Sequence, residues 1–212
     1  MADAGTSDCD CGPVVERPRG EQVPSGREVW AQEKSSGNSR AGVLVFDAVG
    51  RLLLQQSYGN KWGVAKGAVR DLLPSCESPR QAAVRELAEE TGLDRRAEDL
   101  APLGVIGICH TRYHFYHLRE RMRSETSLRD PECTALAWVC PRCFRQKLRD
   151  RRGSCGLDAI NMASRLLLQK VLAEGVICEI CRQWAETPAL CQSEPLVTFA
   201  IGGCEPKAHL RG

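Results

Sequence analysis

The sequence lacks the features that would direct the chain into a membrane, into a secretory pathway or onto nucleic acid through bulk charge. None of its apolar runs approaches the roughly 18 residues that a membrane helix requires. The N-terminal stretch contains no apolar core of the kind found in secretory signals. The formal net charge is only +2, so no global attraction to nucleic acid is expected. We therefore expect an intracellular protein of the cytoplasm or nucleus.

Cysteine, in contrast, is abundant, with 12 among 212 residues. Because no secretory signal is predicted, we expect a reducing compartment and free thiols or metal ligands, not disulfides. Two Cys-x-x-Cys pairs, Cys140 with Cys143 and Cys178 with Cys181, resemble a structural Zn²⁺ pattern. However, 34 residues separate the pairs, which is longer than the usual spacing, and chance pairs are common in a cysteine-rich chain. We favour free thiols over a zinc site.

Length and composition favour one globular domain with flanking extensions. Residues 1–38 begin acidic and then become rich in Gly, Ser, Pro and Arg, which predicts a disordered leader. Ordered structure is predicted over residues 39–175. Residues 176–212 form a cysteine-containing C-terminal extension without a clear structural pattern.

Periodicity within residues 39–175 predicts an α/β domain. Short apolar runs predict strands at residues 41–47, 52–57, 103–109, 112–118 and 134–139. Residues 58–66 contain glycine and asparagine and are predicted to be a loop, whereas apolar residues at helical spacing predict a helix over residues 157–172. Strands on both sides of an earlier helix, with this second helix at the end, predict a mixed sheet sandwiched between helices.

The clearest element is the earlier helix, predicted over residues 78–91. Ser78 is a good N-cap residue, and Pro79 is tolerated in the first turn because its missing amide hydrogen has no partner there. Gly92 suits the left-handed conformation that ends a helix. The sequence therefore places a well-delimited helix directly after the Gly-containing segment.

Three carboxylates lie close together on this helix. Glu86 and Glu90 share one face, with Glu89 on its flank. Carboxylates this close repel one another unless a cation or water separates them, and oxygen-only ligands suit hard Mg²⁺ or Mn²⁺. Arg85 lies about two turns from Glu77, so we expect it to reach back and fix the loop that enters the helix. The alternative is a solvated acidic face without a ligand.

The spacing of these residues resembles the Nudix box. Its pattern is Gly, five residues, Glu, seven residues, Arg-Glu-apolar, one residue, Glu-Glu, one residue, Gly-apolar. From Glu77 to Leu93 every specified position matches. The leading glycine corresponds to Gly67, but nine residues rather than five separate it from Glu77, so this box carries a four-residue insertion. The segment is therefore identified as a member of the Nudix hydrolase superfamily by resemblance.

The resemblance implies a Nudix-type α/β/α sandwich with a mixed sheet and a pyrophosphohydrolase site. It assigns Mg²⁺ or Mn²⁺ as the cofactor, held by Glu86, Glu89, Glu90 and the backbone of Gly67. The insertion makes the role of Gly67 an open question. The implied catalytic residues are Glu89, Glu86, Arg85 and Glu132. The last is a candidate base on a loop before the final strand, with an exposed turn residue as the equal alternative.

A second segment bears on the substrate. The run from Trp62 to Gly67, Trp-Gly-Val-Ala-Lys-Gly, is similar to the Trp-Gly-Phe-Pro-Lys-Gly of diadenosine polyphosphate hydrolases and mRNA-decapping enzymes. It implies substrate contacts by Trp62 and Lys66. The basic run at residues 142–152 would suit RNA phosphates, although a solvated linker is the commoner meaning of such a run.

The sequence therefore predicts a divalent-metal-dependent hydrolase of a phosphoanhydride bond in a nucleoside diphosphate linked to another moiety. Dinucleoside polyphosphates or capped RNA are the favoured substrates and partners, and no membrane is expected to be involved. The alternative is a non-catalytic Nudix-fold module that binds nucleotide or RNA, and a third interpretation is a zinc-stabilised interaction protein. The sequence leaves the oligomeric state open.

Overall fold

The computed structural model describes most of the predicted domain and a short N-terminal segment. The described residues are 14–17, 38–48, 50–57, 61–70, 76–108, 110–120, 125–140, 144 and 153–173. Three predicted features lie outside this set. They are the basic run at residues 142–152 (except Phe144), three of the four cysteines of the zinc pattern, and the C-terminal extension. What the sequence indicates for them stays a prediction. No helix within the described ranges is long and apolar enough to cross a membrane.

One mixed sheet organises the described part of the chain. Its strands are β1 Val15–Glu16, β2 Ser39–Phe46, β3 Leu52–Ser57, β4 Lys61–Gly63, β5 Ala65–Ala68, β6 Ala101–Ile108, β7 Thr111–Arg119 and β8 Cys133–Val139. The main strand order is β1-β8-β3-β2-β7-β6, while β4 pairs with β3 and β5 pairs with β2. The β2–β7 pair is parallel and the other pairs are antiparallel. This is the mixed sheet that the sequence predicts.

Two helices, α1 Pro79–Thr91 and α2 Met162–Ala173, belong to opposite faces of this sheet. Leu87 of α1 packs in one core cluster with Leu53, and Leu167 of α2 packs in the other with Leu54. Adjacent residues of β3 thus point to different cores, as the alternation of a strand requires. Each fully buried leucine contributes roughly 1.5–3 kcal/mol. The predicted α/β/α sandwich is confirmed.

Helix α1 has the boundaries that its capping residues predict. The Ser78 hydroxyl accepts a hydrogen bond from the Gln81 amide at 3.2 Å, and the Gln81 side chain accepts one from the Ser78 amide at 2.8 Å. This reciprocal pair satisfies two amides that the helix leaves free. Gly92 ends the helix with a φ of 75°, a left-handed conformation that favours glycine. The carboxylate-bearing helix is therefore held at both ends by local sequence.

The prediction of a loop over residues 58–66 is wrong for residues 61–63 and 65–66, since β4 and part of β5 occupy them. Both strands are short and contain glycine, so local sequence does not identify them. Tertiary pairing forms them instead: Trp62 pairs with Gln56 of β3, and Lys66 pairs with Gly42 of β2. This pairing matters for the site because β5 carries Lys66 and Gly67 beside α1.

Helix α2 begins later than the predicted residue 157. The backbone amide of Ser164, in the first turn of α2, donates to the Asn161 side-chain oxygen at 3.0 Å. The backbone amide and the side-chain nitrogen of Asn161 both donate to the Trp62 carbonyl oxygen. The preceding residues Gly156–Ala159 form a single 3₁₀ turn. Asparagine capping therefore sets the start of the helix and attaches it to β4.

The predicted disordered leader contains one ordered strand. β1 pairs antiparallel with β8, with Val15 opposite Leu136 and Glu16 opposite Ala135. Among the described strands β8 would otherwise be an edge of the sheet, and its free backbone groups are a ready site for an added strand. The leader prediction therefore does not hold for residues 14–17.

Candidate active site

Arg85 on α1 holds three carboxylates. Its Nη2 donates to Glu77 Oε1 at 2.7 Å, and its Nη1 donates to Glu86 Oε1 at 2.6 Å and to Glu89 Oε2 at 2.9 Å. Nη2 also donates to the Ala68 carbonyl oxygen at 2.8 Å. The predicted reach of Arg85 to Glu77 is confirmed. The planar guanidinium thus connects the end of β5, the loop before α1 and the acidic face of α1.

The four-residue insertion is closed off at its base. The Arg70 amide donates to Glu77 Oε1 at 3.0 Å, and the Glu77 amide donates to the Arg70 carbonyl oxygen at 3.1 Å. Because these bonds join the residues on either side of the inserted loop, its extra length does not separate Gly67 from Glu77. Lengthening a surface loop costs little closure entropy, well under about 1 kcal/mol for this change. The hydrogen bonds between Arg70 and Glu77 therefore keep the two sides of the insertion together.

Gly67 lies against the carboxylate of Glu86. A Cβ atom at Gly67 would overlap with the Cδ and both oxygens of Glu86, so no larger residue fits without displacing them. The Gly67 backbone is fixed by pairing with Ala41 in the β2–β5 ladder. The close approach of a backbone and a buried carboxylate is a physical reason for glycine at this position.

Glu90 is oriented by β3 and β5. Its Oε2 accepts from the Lys66 amide at 2.8 Å, and its Oε1 accepts from Gln55 Nε2 at 3.1 Å. The Cys133 thiol donates to Gln55 Oε1 at 3.6 Å, which selects the orientation of the amide that points its nitrogen at Glu90. Sequence reasoning did not single out Gln55. Strand β3 reads Leu-Leu-Leu-Gln-Gln-Ser, and nothing in that run distinguishes Gln55, which reaches Glu90, from the neighbouring Gln56.

Burial destabilises the charged forms of two site acids. It raises the pKa of Glu86 to about 7, while the Arg85 charge opposes the shift and the charges of Glu89 and Asp130 add to it. Burial likewise raises the pKa of Glu90 well above its usual value, with Lys66 opposing and Glu86 adding. A carboxylate cluster of this kind gains stability from a further positive charge. The electrostatics therefore favour a bound cation.

Asp130 is a loop acid that sequence reasoning missed. Its charge raises the pKa of both Glu86 and Glu90, and burial raises its own pKa. The predicted loop acid, Glu132, lies in the turn just before β8, where its amide donates to Asp130 Oδ1 at 2.7 Å. Glu132 stays a candidate base, and Asp130 joins it. Loop residues carry no periodic pattern, so nothing in the sequence distinguished the two.

The two predicted substrate residues differ in position. The Lys66 amide donates to Glu90 Oε2, and the charge of Lys66 opposes the rise in the pKa of that carboxyl, so Lys66 belongs to the site. Trp62 is only 3% exposed and packs in the core cluster that contains Leu167 of α2. Its burial gives no support to a direct substrate contact. The resemblance at Trp62 corresponds here to core packing between β4 and α2.

The donor atoms fit a hard divalent cation. The acids on α1 and the Gly67 carbonyl are oxygen donors, which Mg²⁺ and Mn²⁺ prefer. Within the described ranges, no three His, Cys, Asp or Glu side chains already stand in a coordinating arrangement. Glu86 and Glu89 instead share Nη1 of Arg85, so both face one positive group. The chemistry of the donor set therefore fits the cofactor implied by the resemblance.

Comparison with known proteins agrees with this geometry. A family model described as NUDIX domain matches residues 38–154. The chain belongs to the NUDIX domain family. Protein 111R of Invertebrate iridescent virus 3, whose name describes a hydrolase, is 31% identical over 107 residues, which is 49% of this chain. The match spans only 59% of the length of that relative.

A solved structure shares the fold of this NUDIX domain. A MutT/nudix family protein from Enterococcus faecalis superimposes with a TM-score of 0.51 at 15% identity, over 79% of this chain and 74% of that one. The dihydroneopterin triphosphate pyrophosphohydrolase of E. coli gives a TM-score of 0.48 at 16% identity, over 66% of this chain and 97% of that one. The first of these confirms the Nudix-type sandwich.

Removing the guanidinium that joins the acids should destabilise the NUDIX domain. In Arg85→Ala, Glu77, Glu86 and Glu89 would lose their shared partner, and we expect the free energy of unfolding to fall by about 2 kcal/mol. Urea denaturation measures the change. Arg96→Ala is a matched control, because the Arg96 side chain is 81% exposed and its ion pair with Asp99 is long, at 3.7 Å. Equal effects of the two substitutions would contradict the role of Arg85.

The raised pKa of Glu86 predicts a pH-dependent stability of the NUDIX domain in metal-free buffer. Because the pKa rises from 4.5 to about 7 on folding, the folded protein keeps a proton that the unfolded chain has released. This contribution is fully present below pH 4.5 and is lost as the pH rises through 7. Between pH 5 and 8 we expect it to remove about 2 kcal/mol from the free energy of unfolding.

Urea denaturation of wild type and Glu86→Gln at a series of pH values tests this prediction. Glutamine does not ionise, so the difference between the two proteins isolates the Glu86 carboxyl from other titrating groups. The wild type should lose stability relative to Glu86→Gln as the pH rises. A difference that is constant over this pH range would show that the pKa of Glu86 is not raised by folding.

Proposed function

We propose that this NUDIX domain is a divalent-metal-dependent pyrophosphohydrolase. It cleaves a phosphoanhydride bond in a nucleoside diphosphate linked to another moiety. The observation that carries the proposal is the contact between the Gly67 backbone and the Glu86 carboxylate, kept in place by Arg85 despite the insertion. A solvated acidic helix face has no physical need for this close approach of a strand backbone to a buried acid.

The proposal assigns the cation to Glu86, Glu89, Glu90 and the Gly67 carbonyl oxygen. When bound, Mg²⁺ or Mn²⁺ would shield the phosphate charges and lower the pKa of an attacking water. The chain prepares this site in two ways. The Lys66 amide and Gln55 fix the direction of the Glu90 carboxylate, and Arg85 keeps the other two acids on the same side of α1.

The reaction transfers one phosphoryl group to water. The water oxygen forms a bond to phosphorus, the bridging oxygen leaves with the electron pair of the broken bond, and a carboxylate accepts the proton from the water. Glu89 is the best placed acid of α1 for contact with solvent, because its side chain is 43% exposed. Glu132 and Asp130 are the loop acids that compete for the same role.

Dinucleoside polyphosphates and capped RNA are the favoured substrates. The support is the resemblance of the segment from Trp62 to Gly67, together with the position of Lys66 beside Glu90. A lysine there adds positive charge next to the acidic centre and suits a polyphosphate chain. Both substrate classes place several phosphates between two nucleoside groups, which is the common chemistry of the proposal.

A substrate panel with mass spectrometry tests the function. Full-length protein would be incubated with nucleotide sugars, dinucleoside polyphosphates and capped RNA, in Mg²⁺, in Mn²⁺ and with chelator, in ¹⁸O-labelled water. We expect cleavage of a dinucleoside polyphosphate or capped RNA only with metal, and one labelled oxygen in one product. No cleavage across the panel with either metal would contradict the proposal.

A non-catalytic nucleotide-binding NUDIX module is the second candidate. It is favoured by one observation, that Arg85 already satisfies Glu86 and Glu89 without a cation. Calorimetric titration with nucleotides in the presence of Mg²⁺ distinguishes the candidates. Binding without any product, together with no affinity for Mn²⁺, would favour the module over the hydrolase.

A further inference from the structure

Arg17 connects the N-terminal strand to the turn that carries Asp130. Its Nη2 donates to the Asp130 carbonyl oxygen at 2.7 Å, and its Nε donates to the Cys133 carbonyl oxygen at 3.2 Å. The Arg17 amide also donates to the Thr134 carbonyl oxygen at 2.9 Å, which continues the β1–β8 pairing. One residue from the N-terminal strand therefore makes three hydrogen bonds to residues more than 110 positions later in the chain.

The turn is also closed internally. The Cys133 amide donates to the Asp130 carbonyl oxygen at 3.0 Å, and the Glu132 amide donates to Asp130 Oδ1 at 2.7 Å. The Asp130 carbonyl oxygen thus accepts from both the turn and Arg17. Since Oδ1 is held by the Glu132 amide, the direction of the Asp130 carboxylate follows the conformation of residues 130–133.

The loop before this turn is attached to the end of α1. The Ser127 amide donates to the Thr91 carbonyl oxygen at 2.9 Å, and a Cβ at Gly92 would overlap with the Ser127 hydroxyl. The loop is therefore held at one end by the acidic helix and at the other end by Arg17. The turn itself contacts the site, since the Cys133 thiol donates to Gln55 Oε1 at 3.6 Å and Gln55 Nε2 donates to Glu90 Oε1 at 3.1 Å.

We propose that Arg17 is a positioning residue of the site, which holds the turn at residues 130–133, and with it Asp130 and Cys133, beside Gln55 and Glu90. The inference rests on the proposed function and extends it to the N-terminal strand. Arginine suits this role because its rigid fork presents separate nitrogens to two carbonyl oxygens. Lysine keeps the charge but has a single nitrogen, so Arg17→Lys should behave like Arg17→Ala.

A double-mutant cycle tests whether Arg17 acts through Asp130. The variants are Arg17→Ala, Asp130→Asn and both together, in the full-length protein with the substrate identified from the panel. We expect each single variant to reduce kcat about tenfold with KM changed less than twofold, and the double variant to be no slower than Asp130→Asn. Two effects that multiply, or a wild-type kcat in Arg17→Ala, would contradict the inference.

Arg129→Ala is the matched control. Arg129 lies in the same loop, but its side chain is 53% exposed and pairs with the exposed Asp94 at 3.4 Å. This variant should keep the wild-type kcat. If it lowers kcat as much as Arg17→Ala does, any disturbance of the loop is sufficient and the specific role of Arg17 is wrong.

Hydrogen exchange separates failure of the inference from failure of the proposed function. If the wild type cleaves no substrate, the proposed function is wrong. The hold of Arg17 on the turn is still tested by the hydrogen exchange of the Glu132 and Cys133 amides. We expect these amides to exchange about tenfold faster in Arg17→Ala than in wild type or Arg129→Ala. Unchanged exchange in Arg17→Ala would show that Arg17 does not hold the turn.

Discussion

Glu89→Gln should reduce the rate of metal-dependent hydrolysis by about 10³-fold while the folded structure persists. Glu89 is 43% exposed and contacts Arg85 and, at 3.6 Å, Arg70. Loss of its charge therefore leaves no buried group without a partner, and we expect Tm to change by less than about 2 °C. The amide keeps the shape of the side chain but removes the negative charge that a cation or the proton of a water would require.

Glu98→Gln is the matched control for this prediction. Glu98 is an exposed acid in the 3₁₀ turn Ala97–Asp99, on a separate element from the acidic face of α1. Steady-state kinetics with a substrate identified from the panel, together with thermal melting, would compare the two variants. If Glu89→Gln hydrolyses at the wild-type rate, Glu89 is neither a metal ligand nor a base.

The second large effect is expected from Gly67→Ala. The added Cβ would overlap with the carboxylate of Glu86, a residue only 9% exposed, so this carboxylate would have to turn away and leave its 2.6 Å contact with Arg85 Nη1. We expect a rate at least about 100-fold lower and a loss of about 1–3 kcal/mol in the free energy of unfolding. A single methyl group would thereby separate the strand backbone from the acid.

Gly107→Ala is the control, because a Cβ at Gly107 in β6 meets no atom within 4 Å. Kinetics and urea denaturation of the two alanine variants would show whether the effect belongs to the contact with Glu86. Should Gly67→Ala retain full activity, the backbone of Gly67 would have no role in the site, and the insertion would have changed the box more than the hydrogen bonds at its base indicate.

Local sequence accounts for α1 and for most of the longer strands. Ser78 and Gly92 specify the ends of α1 through hydrogen bonds and a left-handed φ that depend only on neighbouring residues. The predicted strand at residues 52–57 corresponds to β3 without a shift of its ends. Its apolar half, Leu52 to Leu54, follows Gly50, and the breakers Gly59 and Asn60 come soon after Ser57. These elements carry their own signals, so they are predictable from one sequence.

The short strands were not predictable because their partners form them. The strands β4 and β5 have three and four residues and contain glycine. Their backbone groups are satisfied by β3 and β2, which lie elsewhere in the chain. The same holds for β1, which adds to the edge strand β8 from within a segment that is acidic at first and then rich in Gly, Ser, Pro and Arg. Tertiary pairing overrides weak local preference in each case.

The site shows the same division. The acids of α1 follow from spacing alone, and so does the reach of Arg85 to Glu77. The contributions of Gln55 and Asp130 depend on which strand and loop lie against α1, and no spacing in the sequence contains that information. The burial of Trp62 also depends on tertiary packing, since the motif that contains it resembles a substrate-binding segment but its indole lies in the core.

Titration with Mn²⁺, followed by electron paramagnetic resonance, tests the central claim most directly. We expect metal-free wild-type protein to bind at least one Mn²⁺ with sub-millimolar Kd, and we expect Mg²⁺ to compete for the site. Glu89→Gln and Glu90→Gln should each weaken Mn²⁺ binding by about tenfold or more. The control Glu98→Gln should bind Mn²⁺ like wild type. Equal affinity in all four proteins, or no binding at millimolar Mn²⁺, would contradict a metal site at these acids.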